Sequence, residues 1–107
     1  MNGKVIIVCN LLIVVLACAI VSDLHAGDSA YGEYLANECV TCHRVDGTET
    51  NIPDITGWPE EAFVAVLVSY KTKERENRVM QTIAAGLGDA EMAALAAYFA
   101  KVKPKVK

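Results

Sequence analysis

The pentapeptide Cys39-Val40-Thr41-Cys42-His43 constrains this chain more than any other feature. Two thiols three positions apart, followed at once by an imidazole, are the attachment signature of a c-type haem. One helical turn sets both sulfurs along one edge of a porphyrin, where they add to its two vinyl groups as thioethers. His43 is then brought beneath the iron. A chain built this way folds around its cofactor.

Other uses of the same residues find less support. A zinc site needs four ligands, and beyond the N-terminal segment only Cys39, Cys42 and His43 remain from the usual set. A thioredoxin-like pair calls for a βαβ context, and no strand-like run is present. A Cys39–Cys42 disulfide would close a very short loop and stabilise little.

The chain opens with Lys4 and an apolar run from Val5 to Val21 broken by Asn10, and then reaches Leu24-His25-Ala26 before Gly27. This is the layout of a secretory signal over residues 1–26, with cleavage expected after Ala26. A retained anchor is the competing reading, and the run lies at the short end of what spans a bilayer. Leu16-Ala17-Cys18 offers a weaker match to a lipoprotein cleavage box. Cleavage would remove Cys9, Cys18 and His25, leaving both remaining cysteines to the haem motif. Export to the periplasm is the expected destination.

Residues 27–107 make one small domain. A core from so short a chain is marginal, and a tethered apolar macrocycle supplies part of it. The formal net charge of −3 argues against general nucleic-acid binding. Acids dominate from Asp28 to Glu61, whereas bases prevail from Lys71 onward.

The pattern predicts helices and loops only. A first helix is expected over 29–38, capped by Asp28 or Ser29. Residues 44–58, with Gly47, Pro53 and Gly57, read as a haem-wrapping loop. Pro59 suits the first position of a second helix, along which Phe63, Val66, Leu67 and Tyr70 form an apolar stripe. After a polar stretch over 71–78, a short helix is expected over 79–85. A last helix is expected from Gly88-Asp89-Ala90-Glu91, with Glu91 reaching back to the cap and Met92, Leu95, Ala96 and Phe99 facing inward.

With His43 on one side of the iron, the other axial position falls by elimination to a methionine, the common partner in electron-transfer cytochromes. Met92 lies on the apolar face of the last helix and reads as core. Met80 follows the returning loop and is the expected ligand, with a lysine ligand or an open site as the alternatives. The cluster Lys71, Lys73, Arg75 and Arg78 just before it reads equally as a docking surface for a redox partner or as a solvated loop.

Taken together, the haem motif, Pro53-Asp54-Ile55-Thr56-Gly57, Met80 and a final helix carrying Tyr98-Phe99 resemble the class I c-type cytochromes over the whole 27–107 region. That resemblance implies an all-α fold wrapped around one covalent haem c. It implies a Pro53 carbonyl that accepts from the Nδ1–H of His43, and terminal helices that cross at Gly32 and Tyr98. Arg44 departs from the family, standing where many members carry glycine.

More narrowly, Ile52-Pro53, Gly57-Trp58-Pro59, the 79–84 run and the 91–100 run resemble the single-haem cytochrome subunits of flavocytochrome c sulfide dehydrogenases. The implied role is single-electron transfer, not catalysis by this chain itself. Electrons would come from an FAD-containing flavoprotein. A free carrier feeding a terminal oxidase is the alternative. A peroxidase or gas sensor would need an open sixth position, and no second histidine is placed to serve one.

Overall fold

The computed structural model describes residues 27–48 and 50–104. The expected signal segment, residues 1–26, lies outside the described residues. Four helices follow one another: α1 Ser29–Val40, α2 Glu60–Lys71, α3 Arg78–Ala85 and α4 Asp89–Lys101. Among the described residues there is no strand.

Each helix begins where its sequence supplies a partner for the unpaired amides of the first turn. Asp28 starts α1, its Oδ1 accepting from the N–H groups of Ala30 at 3.0 Å and Tyr31 at 3.2 Å. The helix continues to Val40, two residues beyond the expected end, because nothing between Glu38 and Val40 breaks it. It therefore carries Cys39 as helical residue and leaves Cys42 and His43 in the turn that follows.

Pro59 stands one residue before α2 instead of on its first turn, with ψ at 135°. Its carbonyl accepts the Phe63 N–H at 3.0 Å and so opens the ladder. Asn77 caps α3. At α4, Glu91 accepts the Gly88 N–H at 2.7 Å, the expected reach back to the cap.

Packing joins α1 to α4, α2 to α4 and α2 to α3. Phe99 and Met92 are fully buried, with Leu95 nearly so. Phe99 stacks on Phe63 with centroids 5.5 Å apart and meets Tyr98 edge-on at 5.1 Å. Such aromatic contacts add to what area burial alone contributes.

At the α1–α4 crossing Gly32 lies against the Ala94 carbonyl, where a Cβ would sit 2.0 Å from the oxygen. Only glycine allows this approach. Gly57 donates its N–H to the Phe99 carbonyl at 2.8 Å and has φ of 72°. It thereby clips the 44–58 loop to α4.

Candidate haem site

Cys39 is half-buried at the end of α1, and Cys42 is exposed one turn on. Both thiols are free. Burial, with the Glu38 charge adding to it, pushes the Cys39 thiol up from its ordinary value.

His43 is half-buried, and its Nδ1 lies 2.7 Å from the Pro53 carbonyl oxygen. A carbonyl only accepts, so Nδ1 carries the proton. The lone pair is then on Nε2, the nitrogen a metal needs. A bond of this kind also raises the basicity of the ring as a ligand.

The loop that presents Pro53 is braced by its own short-range bonds. Arg44 pairs with Asp46, and the Asp46 Oδ1 accepts the Thr48 N–H at 3.0 Å. The guanidinium, with help from Thr48, holds the Asp46 carboxyl well below the usual carboxylate range. Arg44 thus has a local partner at the position where glycine is common in the resembling proteins. Thr50 Oγ1 both donates to the Ile52 carbonyl and accepts its N–H, each at 3.2 Å. Beyond Pro53, the Asp54 Oδ1 accepts from both the N–H and the hydroxyl of Thr56 at 2.8 and 2.7 Å. That pairing allows the Thr56 hydroxyl to be buried without loss.

Met80 is half-buried on the third residue of α3 and packs against the core cluster. Met92 is fully buried on α4, the core position expected of it. Trp58 meets Phe63 edge-on with centroids 6.5 Å apart, a packing role. A cleft of about 370 Å³ lies between α1 and the α3–α4 turn, with Cys39, Leu35, Ile83, Leu87 and Leu95 in its lining.

The donor set fits a c-type haem. Two free thiols are one turn apart, and an imidazole has its Nδ1 already satisfied. The cleft beside Cys39, which His43 and Met80 do not line, carries Leu35, Ile83, Leu87 and Leu95 along with Asn37, Glu38 and Glu91. Among the described residues no three Cys, His, Asp or Glu side chains converge as a metal-ion site. Cys39, Cys42 and His43 therefore do not gather around one tetrahedral centre.

Reading the sequence alone misses how the 71–78 segment is held. Lys71 Nζ donates to the Leu87 carbonyl, and the Arg75 guanidinium lies 5.6 Å from the centre of the Tyr70 ring. Two of the four bases considered for partner docking are thus engaged within the chain. Asn77, three positions before Met80, was a legible cap signal.

The Cytochrome c family model matches residues 29–103. Similar proteins include cytochrome c4 of Pseudomonas aeruginosa, 34% identical over 76% of this chain and 41% of that protein. Cytochrome c-554(548) of Halomonas halodenitrificans is 33% identical over 69% of this chain and 95% of its own length. The cytochrome subunit of sulfide dehydrogenase of Chlorobaculum tepidum is 33% identical, over 69% of this chain and 68% of that subunit. The chain thus spans well under half of the first of these relatives. Fold, motif and match agree, and the chain belongs to the cytochrome c family, as a small all-α electron-transfer domain with a covalently bound haem c.

Proposed function

We propose that this is a periplasmic single-haem cytochrome that accepts electrons one at a time from an FAD-containing, sulfide-oxidising flavoprotein. Cys39 and Cys42 would hold the haem through thioethers, and His43 and Met80 would be its axial ligands. The bound group supplies reversible one-electron chemistry at iron. The chain's own contribution is to orient and to pack. The Pro53 carbonyl keeps the proton on Nδ1 of His43, and Leu35, Ile83, Leu87 and Leu95 offer apolar surface beside Cys39.

The His43–Pro53 hydrogen bond carries this reading of the site, because it leaves Nε2 as the nitrogen free to ligate. Support for the flavoprotein partner is the likeness to the cytochrome subunit of a sulfide dehydrogenase. The second reading, a free carrier, draws on the likeness to cytochrome c-554(548), whose length this chain nearly spans.

Two measurements test the proposal. Protein made with haem-maturation machinery should gain the mass of one haem that resists acid–acetone extraction, and a Cys39→Ala, Cys42→Ala double variant should lose it. Extractable haem in the unaltered protein overturns the attachment. Purification from the native host should bring down a flavin-containing protein, and flavin-free cytochrome in good yield favours the free carrier.

A further inference from the structure

α3 is tied into the fold at a few definite points. Among the described helices it packs against α2 and against neither α1 nor α4. Ala84 is fully buried and Val79 is 66% exposed, while Ile83 faces the cleft beside Cys39. Met80 packs against the core cluster, and polar ties at the two ends of α3 add to that hold.

Those ties are specific. The Asn77 Oδ1 accepts the backbone N–H of Met80 itself at 3.0 Å. The Asn77 carbonyl accepts the Gln81 N–H at 2.8 Å. From the next residue after Met80, Gln81 Nε2 reaches back to the Arg75 carbonyl at 3.0 Å. At the far end Lys71 binds the Leu87 carbonyl and joins α2 to the α3–α4 turn. The buckle closes around the residue that bears the thioether.

We infer that Asn77 is a positioning residue for Met80: by fixing the first turn of α3 through the Met80 amide, it sets how often the thioether leaves the iron. The inference rests on Met80 being the sixth ligand. With the cap in place, the first turn of α3 has one starting point. Without it, the turn frays and Met80 is the residue that frays with it.

The test is imidazole binding to the ferric holoprotein, because an added ligand binds only the methionine-off fraction and its apparent Kd scales inversely with that fraction. Asn77→Ala should bind imidazole about fivefold more tightly, the factor equivalent to a typical lost cap. It should also weaken the far-red sulfur-to-ferric absorption. Asn77→Ser, which restores an acceptor, should return both to the original values. Asn77→Gly, a tolerated helix start, should fold normally and bind imidazole less than about twofold more tightly than the original protein.

Met80→Ala separates the two levels. If that variant retains the far-red absorption, the ligand assignment fails and the inference with it. If it loses the absorption while Asn77→Ala keeps the original imidazole affinity, the ligand stands and the role of Asn77 is overturned.

Discussion

Gly32 and Ala94 meet at the crossing of α1 and α4, where a Cβ on Gly32 would stand 2.0 Å from the Ala94 carbonyl oxygen and 2.9 Å from the Tyr98 Cβ. The helix that carries Cys39 is thereby seated on the helix that supplies most of the core. Gly32→Ala cannot be accommodated by a side-chain rotation, because the obstruction is backbone. Overpacking of this kind costs about 1–3 kcal/mol. Gly86→Ala is the control, since its Cβ would find its nearest neighbour at 3.5 Å. Thermal unfolding of the two variants should separate them clearly.

Met80 and Met92 should respond in opposite ways. Met80→Ala should abolish the far-red absorption and lower the potential, as loss of a thioether ligand does. Met92→Leu conserves volume in a fully buried position and should cost under about 1.5 kcal/mol with an unchanged spectrum. A reversed pattern would assign the iron to Met92.

Lys73 adopts φ of 64° just past the end of α2, a position that favours glycine. Its N–H bonds to the Tyr70 carbonyl at 3.1 Å, closing the last turn. Lys73→Gly should therefore stabilise the protein by up to about 1 kcal/mol, less what the freer unfolded chain takes back. Denaturant unfolding at constant slope is the check, and the haem potential should not move.

The Asp46 carboxyl is held below its ordinary value of 3.8 by Arg44 first and Thr48 second. Its unfolded form therefore binds more protons than its folded form as pH falls below that value. The stability it contributes is present above about pH 3.8 and is lost as the pH falls toward its lower folded value. Asp46→Asn should remove this part of the acid limb. Because the pair is exposed, added salt should shrink the difference.

Much of the site was legible because haem attachment ties chemistry to sequence spacing. The motif and the core position of Met92 follow from local order along the chain, whereas the Pro53 carbonyl beside His43 was implied only by the resemblance to class I cytochromes. The helices, too, came from caps and periodicity: Glu91 at α4 and the Phe63–Leu67 stripe of α2 are where the pattern puts them. The differences lie where backbone geometry or distant partners decide. Pro59 precedes its helix because its ψ is extended. The end of α1 falls past Glu38 because helix continues until something stops it. Lys71 and Arg75 looked like free charge, and their partners, Leu87 and Tyr70, are chosen by the turn after α2. No periodicity encodes a lysine meeting a carbonyl sixteen residues away.

The packing order of the helices also has a kinetic consequence. α1, α4 and α2 share one connected core, whereas α3 leans on α2 alone among the described helices. Cooperative units with few buried apolar contacts open at lower free energy than the rest of the molecule. Amide protons of α3 should thus exchange with solvent through a partial opening that leaves α1 and α4 protected. If Met80 ligates the iron as proposed, such an opening would release the methionine while the helix that carries Cys39 stays seated on α4.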